Sequence, residues 1–170
     1  MPHLDAAYNL AYWMTRSRAD AQDVVQDACL RAFKYFDTFA GDNPSAWLLS
    51  IVRRACYTWM KRNRRPEESV GLEDDAAAAE SEDPALLMGS HGLARDPEAL
   101  LVEARQSERL HQLIAALPLE YREIIALREL EELAYREIAE VVGIPIGTVM
   151  SRLARARALL LRQWQREQQE

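Results

Sequence analysis

The pattern of apolar residues between positions 135 and 157 fits two short helices that meet at a tight turn. Five apolar residues have the spacing that packs one helix against the other: Ile138, Ala139, Val142, Val149 and Leu153. Gly143 stands between the two helices, where it permits the left-handed backbone conformation that a sharp turn requires. This arrangement predicts a helix-turn-helix, a motif in which the second helix enters the major groove of DNA.

The outward side of the second helix carries residue types suited to DNA contact. Its hydroxyl and cationic side chains are Thr148, Ser151, Arg152, Arg155 and Arg157. Hydroxyls and guanidinium groups read base edges and bind phosphates. The stretch from Arg152 to Arg166 holds five arginines and no carboxylate, although the whole protein has a formal net charge of -6. This asymmetry favours a polyanionic partner, whereas a merely solvated basic face is the competing interpretation.

Composition indicates a soluble globular protein. Of the 170 residues, 49% are apolar and 28% are charged, which suits two compact helical domains. No apolar run reaches the roughly 20 residues needed to span a bilayer, and the first residues lack the features of a secretory signal, so we expect a cytoplasmic protein without membrane insertion. Neither the two cysteines nor the three histidines have metal-ligand spacing, and no nucleophile-base pair is evident. We therefore predict no enzyme activity, no metal site and no cofactor.

Charge divides the chain into three segments. Residues 1–66 carry ten Lys/Arg and six Asp/Glu, residues 67–98 carry one and ten, and residues 99–170 carry ten and eleven. The net charges are therefore +4, -9 and -1. The middle segment is also poor in large apolar residues, which predicts a flexible acidic linker between two domains. Whether its acidity has a function of its own is left open by the sequence.

Three helices are predicted before the linker, at about 5–15, 20–35 and 43–64. Asn43 is a suitable N-cap for the third helix, and Pro44 suits its first position. Helical spacing predicts the following inward-facing residues: Leu10, Ala11, Met14, Val24, Ala28, Leu30, Ala32, Phe36, Leu48, Val52, Ala55 and Trp59.

The third helix has a basic side with an aromatic ring in it. Together with the cap residue, the candidate nucleic-acid contacts are Asn43, Arg53, Arg54, Tyr57, Lys61, Arg62, Arg64 and Arg65. Unpaired nucleic acid needs cations along its backbone and rings that stack on its bases. The pattern therefore favours binding of a melted strand, and a solvated helix end is the alternative.

These motifs, in this order, resemble the extracytoplasmic-function (ECF) sigma factors of bacterial RNA polymerase over nearly the whole chain. Residues 20–33 resemble the core-polymerase-binding helix of sigma region 2, and residues 43–65 resemble its promoter-melting helix. Residues 117–130 and the helix-turn-helix resemble sigma region 4. The resemblance implies an all-α protein with a region 2 helical bundle at 1–66, an acidic linker at 67–98 and region 4 at 99–170.

The resemblance also assigns roles to these parts. Residues 1–66 are implied to bind the clamp helices of the largest polymerase subunit and to open the -10 element, while residues 99–170 bind the flap of the second-largest subunit and read the -35 element. The implied polymerase contacts are Asp20, Asp23, Gln26, Asp27 and Arg31. An anti-sigma factor is a further expected partner. The family often has Lys where this chain has Met150, which predicts weaker phosphate contact or an altered -35 preference.

Two other classes of protein stay open at this point. A helix-turn-helix regulator that acts without polymerase accounts for the C-terminal motif, but it leaves the helices at 20–33 and 53–65 without a task. A sigma-like decoy that only captures an anti-sigma factor does not need the arginines found in both domains.

Overall fold

In a computed structural model, the chain is described at residues 3–63 and 97–167, with side chains in the second range described from residue 103. These residues form seven α-helices and no β-strand. The helices are α1 (Leu4–Thr15), α2 (Arg18–Tyr35), α3 (Pro44–Asn63), α4 (Pro97–Ala115), α5 (Leu119–Ile125), α6 (Tyr135–Val142) and α7 (Ile146–Glu167). The all-α prediction is confirmed. Arg64, Arg65 and most of the predicted linker lie outside the described residues.

Helices α1, α2 and α3 pack against one another and form the N-terminal helical unit. The backbone N–H of Asp20 donates to Ser17 Oγ at 3.4 Å, which caps α2, and the N–H of Ala46 donates to Asn43 Oδ1 at 3.0 Å, which caps α3. Pro44 occupies the first position of α3. Proline is well tolerated there, because no hydrogen bond within the helix uses the N–H of that residue. The predicted start of α3 is therefore confirmed.

The inner face of α2 differs from the prediction at two residues. Ala21, Val24, Ala28 and Ala32 form the buried stripe, whereas Leu30 and Phe36 are exposed. The prediction that Leu30 and Phe36 are buried was wrong. Leu30 follows Ala28 by two positions, which turns it about 200° around the helix axis. Small side chains on the inner stripe also let α1 and α3 approach α2 closely.

The core of α3 differs from the prediction at two residues, Leu48 and Trp59. Val52 and Ala55 are buried as predicted, but Leu49 and Cys56 are the fully buried neighbours. Leu48 and Trp59 are only partly buried and lie at the edge of the core. At positions 48 and 49 the buried residue is Leu49, one position after the predicted one, whereas Cys56 is buried in addition to Ala55.

Helices α4 to α7 form the C-terminal helical unit, in which α6 and α7 make the predicted helix-turn-helix. Gly143 has φ 74° and ends α6, with its N–H donating to the Ala139 carbonyl at 2.9 Å. Ile138, Val142, Val149 and Leu153 are buried between the helices.

A π-turn follows α5 and precedes α6. It covers Ala126–Leu130, and the Glu131 N–H donates to the Ala126 carbonyl at 3.2 Å. Such a turn adds a residue to the helical ladder, so it redirects the chain from α5 into α6. Arg128 steadies it by donating from Nη1 to the Leu133 carbonyl at 2.8 Å.

The two helical units share one continuous apolar core in this structure. Helix α5 lies against α1, and α6 lies against α3. Buried residues of both units, including Met14 and Leu49 on one side and Ile124 and Ile138 on the other, belong to the same cluster. We call this arrangement the closed packing.

Candidate nucleic-acid interface

Helix α7 presents the predicted reading face to solvent. Val149, Leu153 and Ala156 hold its inner side against the rest of the C-terminal helical unit. Ser151 and Arg155 are exposed on the other side, and Thr148 is half-buried. Burial of one stripe and exposure of the other is what a helix needs to enter a groove while staying anchored.

Two of the predicted arginines on α7 are held by carboxylates. Arg152 Nη2 lies 3.6 Å from Glu120 Oε2 of α5. Arg157 donates from Nε to Glu129 Oε1 at 3.1 Å, and this hydrogen bond raises the pKa of Arg157. Both pairs are partly exposed, so water and salt screen them and DNA phosphates can compete for the guanidinium groups.

Helix α3 divides its predicted contacts into an exposed group and a covered group. Arg54, Lys61 and Arg62 are exposed. Arg53 and Tyr57, in contrast, point towards α5 of the C-terminal helical unit, where both meet Glu123. In the closed packing these two side chains therefore face a protein carboxylate.

Glu123 is the centre of this contact, and sequence reasoning missed it. Arg53 donates from Nε to Oε2 at 2.9 Å and from Nη2 to Oε1 at 3.2 Å, while the Tyr57 hydroxyl donates to Oε2 at 3.3 Å. The guanidinium of Arg53 also lies over the Tyr57 ring, 4.6 Å from its centroid. We call these three residues the Glu123 cluster.

Burial affects the pKa values of Glu123 and Tyr57. The Glu123 side chain is 0% exposed and that of Arg53 is 20% exposed. Burial raises the pKa of Glu123, and the hydrogen bonds and charge of Arg53 partly counter this rise. Burial also raises the pKa of Tyr57, and the nearby Glu123 carboxylate adds to that rise.

Asn43 makes a second polar contact between the helical units. Its Nδ2 donates to Glu137 Oε1 at 2.8 Å. The other carboxylate oxygen of Glu137, Oε2, accepts from the Ala134 N–H at 2.8 Å and so supports the start of α6. Because Ala134 has no side-chain acceptor, this is half of a capping box.

Arg122 is a buried cation with three backbone acceptors. Nη1 donates to the carbonyls of Ala115 at 2.8 Å and Leu117 at 3.2 Å, and Nη2 donates to the Met14 carbonyl of α1 at 3.4 Å. Burial lowers its pKa to about 10, so the guanidinium stays charged at neutral pH. Asn9 adds a further link, with Nδ2 donating to Glu131 Oε1 at 2.8 Å.

The outer face of α2 carries the implied polymerase contacts and an apolar patch. Asp23, Gln26 and Asp27 are exposed, whereas Asp20 and Arg31 are half-buried. Arg31 Nη2 lies 2.7 Å from Asp27 Oδ2.

Three large apolar side chains near Arg31 are exposed at the C-terminal end of α2. Phe33 is 84% exposed and Leu30 is 67% exposed, and Phe36 is also exposed. We call these three residues the α2 apolar patch. The signal for it was present in the sequence, because Leu30 and Phe33 are three residues apart and lie off the small-residue stripe.

Neither a metal centre nor a membrane-crossing segment is found in the described ranges. No group of three or more His, Cys, Asp or Glu side chains is placed there to hold a metal ion. None of the described helices has the length and hydropathy to cross a bilayer.

Comparisons with known proteins agree with this architecture. The profile of Sigma-70 region 2 matches residues 1–66, and the profile of Sigma-70 region 4 matches residues 107–160. The chain is 37% identical to the RNA polymerase sigma-H factor of Pseudomonas aeruginosa, over 81% of this chain and 69% of that protein. It is 33% identical to the ECF RNA polymerase sigma factor SigW of Bacillus subtilis, over 94% of this chain and 83% of that protein.

A solved structure shows the same fold. The sigma factor RpoE of Bartonella quintana, crystallised with the anti-sigma factor NepR, is similar with a TM-score of 0.66 and 26% identity, over 92% of this chain and 88% of that chain. An all-helical fold with a helix-turn-helix and both sigma-70 regions defines a transcription initiation factor. This chain belongs to the ECF family of RNA polymerase sigma factors.

Proposed function

We propose that the chain uses α7 to read the -35 element and α3 to bind the unpaired strand of the -10 element. The observation that carries this proposal is that each of these helices buries one stripe and exposes cations on another. On α7 the -35 contacts are Thr148, Ser151, Arg152, Arg155 and Arg157. On α3 and just after it the -10 contacts are Asn43, Arg53, Arg54, Tyr57, Lys61, Arg62, Arg64 and Arg65.

Promoter opening in this scheme needs no bond chemistry from the sigma factor. A protein that binds an unpaired strand more tightly than a duplex shifts the melting equilibrium by that difference in affinity. Arginines supply the phosphate contacts, and the Tyr57 ring supplies a stacking surface worth about 1 to 3 kcal/mol for one base. Polymerase supplies the catalysis, and both act in the cytoplasm. The domain boundaries at 66 and 99 are part of the same proposal.

Helix α2 is the proposed docking surface for core polymerase. Its contacts are Asp20, Asp23, Gln26, Asp27 and Arg31, and the α2 apolar patch extends the surface. Exposed Phe and Leu side chains beside charges form the apolar centre and polar rim of a typical protein interface. We expect Phe33→Asp to lose core polymerase in a pull-down while Leu161→Asp, an exposed apolar residue of α7, retains it. Retention of polymerase by Phe33→Asp would show that the α2 apolar patch is not part of the docking surface.

The closed packing is proposed as the resting conformation of the free chain. Arg53 and Tyr57 cannot contact a DNA strand while they bind Glu123, so closure and -10 binding compete for the same side chains. Binding of polymerase to both helical units must therefore separate them. An anti-sigma factor is proposed as a further partner, since RpoE of Bartonella quintana was crystallised with one.

Permanganate footprinting of unpaired thymines tests the function. Core polymerase is incubated with a pool of promoter fragments, with and without the full chain. We expect melting only when both are present. Duplex binding by the chain alone, with no melting, supports a regulator that acts without polymerase. Absence of both melting and DNA binding supports the decoy.

A further inference from the structure

Two exposed apolar side chains stand at the start of α7. Met150 is 50% exposed and Ile146 is 41% exposed. They are four residues apart, so they lie next to each other on one flank of the helix. Thr148, Arg152 and Arg155 lie towards the other flank. The first two turns of α7 therefore have an apolar flank and a polar flank.

Packing among the described residues does not account for this apolar flank. The buried side of α7 is formed by Val149, Leu153 and Ala156. Next to Met150 along the helix are Gly147 and Ala154, both exposed, and a Cβ added at Gly147 meets no atom within 4 Å. Met150 thus projects beyond small neighbours, and half of its surface is exposed in the described part of the chain.

The chemistry of the major groove supplies an apolar partner for such a side chain. Residues near the N-terminus of a recognition helix are those that contact base edges. Each base pair presents donors and acceptors there, and thymine adds a C5-methyl group that makes apolar contacts. The nearby cations Arg152 and Arg155 favour a polyanion over an apolar protein surface as the occupant of this face.

We propose that Met150 determines specificity by contacting the C5-methyl group of a thymine in the -35 element. This inference rests on the proposed role of α7 in reading that element. Ile146 borders the same contact. Because the methyl group is absent from uracil and from cytosine, Met150 selects thymine at one position without forming a hydrogen bond.

Replacement of thymine by deoxyuridine tests the contact, because it removes the methyl group and leaves base pairing intact. The -35 element is first determined by selection of duplexes bound by the polymerase holoenzyme containing the full chain. Each thymine of either strand is then replaced singly, and binding of the holoenzyme is measured. We expect one position at which the loss of affinity is about fourfold, the value for one buried methyl-sized group.

Variants connect that loss to the side chain. Met150→Ala should show no further loss with deoxyuridine at that position, whereas Met150→Leu, which keeps an apolar side chain, should remain sensitive to the methyl group. Leu161→Ala serves as the matched control, since Leu161 is an exposed apolar residue of α7 about 16 Å further along the helix. It should retain the full sensitivity.

The possible failures are distinguishable. If a scrambled -35 element binds holoenzyme as well as the selected one, the proposed role of α7 is wrong. If the element matters but no thymine methyl does, or if it contains no A·T pair, the role of α7 stands and the Met150 contact is wrong. Full methyl sensitivity in Met150→Ala likewise overturns the assignment to Met150.

Discussion

Replacing Arg53 by Met should open the closed packing, because Arg53 provides the bidentate ion pair of a fully buried carboxylate. The two hydrogen bonds from Arg53 to Glu123 measure 2.9 and 3.2 Å. Methionine keeps much of the aliphatic bulk of arginine but offers no positive charge. Glu123 would then be buried with only the Tyr57 hydroxyl as a partner from α3.

The ordinary pKa of a glutamate limits the size of the effect. A buried carboxylate that has lost its countercharge can become neutral by taking up a proton. The ordinary pKa of a glutamate is 4.5. Protonation at pH 7 therefore costs at most about 3.4 kcal/mol, and at pH 5.5 about 1.4 kcal/mol. The ratio of open to closed molecules should rise by up to about three hundredfold at pH 7 and up to about tenfold at pH 5.5.

The direction in which closure depends on pH follows from the pKa of Glu123 in the closed and open forms. Burial raises the pKa of Glu123 in the closed packing above its value in the open form, so closure takes up protons. Closure is therefore favoured as pH falls towards 4.5 and is weakened as pH rises through the raised pKa. Loss of Arg53 should extend this dependence to higher pH, because the hydrogen bonds and charge of Arg53 are the largest contributions that lower the pKa of Glu123 in the closed form.

Single-molecule energy transfer measures the two populations. Dyes are attached to Lys34→Cys at the end of α2 and Gln165→Cys near the end of α7, both exposed sites, in a Cys29→Ser background. The double variant Arg53→Met with Glu123→Gln should close again without pH dependence, since its glutamine needs no proton. An unchanged population in Arg53→Met at pH 7, or a double variant as open as the single one, would refute the electrostatic reasoning.

Three further outcomes are expected. Arg152→Glu combined with Arg155→Glu should abolish -35-dependent transcription while core polymerase still binds in a pull-down; loss of polymerase binding would mean that the DNA face of α7 is misplaced. Tyr57→Ala should impair permanganate-detected melting more than closed-complex formation, and Tyr57→Phe, which keeps the ring, should melt normally; equal loss of both steps in Tyr57→Ala would remove the stacking role. Gly143→Ala should reduce the free energy of unfolding by about 1 to 2 kcal/mol in urea titration, because φ at this residue is 74°, and an unchanged midpoint would contradict this.

Local patterns in the sequence predicted local structure well. Gly143 and the cap at Asn43 were predictable because each depends on a few adjacent residues. The buried and exposed sides of α7 followed from its period for the same reason. The two errors on α2 arose where large apolar residues, Leu30 and Phe36, were assigned to the core, although the alanines of that helix form its inner stripe.

The Glu123 cluster could not be predicted in the same way. Arg53 and Glu123 are separated by 70 residues, and no spacing rule connects positions so far apart. Glu123 also follows Arg122 directly in the sequence, and two adjacent charged residues are typical of the exposed surface of a helix. Only the packing of α5 against the N-terminal helical unit makes both side chains buried. The surface that the sequence assigned to DNA on α3 is correspondingly half covered.

Asn43 and Glu137 each use one polar side-chain atom at a helix end and the other in the hydrogen bond between them. The oxygen of the Asn43 amide caps α3 and its nitrogen reaches across to Glu137, while the second oxygen of Glu137 supports the first turn of α6. Rupture of the bond between them therefore leaves both helix ends intact. Separation of the two units then needs no unfolding of the first turn of α3 or α6, and we expect a hinged domain motion, which takes microseconds to milliseconds. A promoter search would not have to wait for this sigma factor to refold.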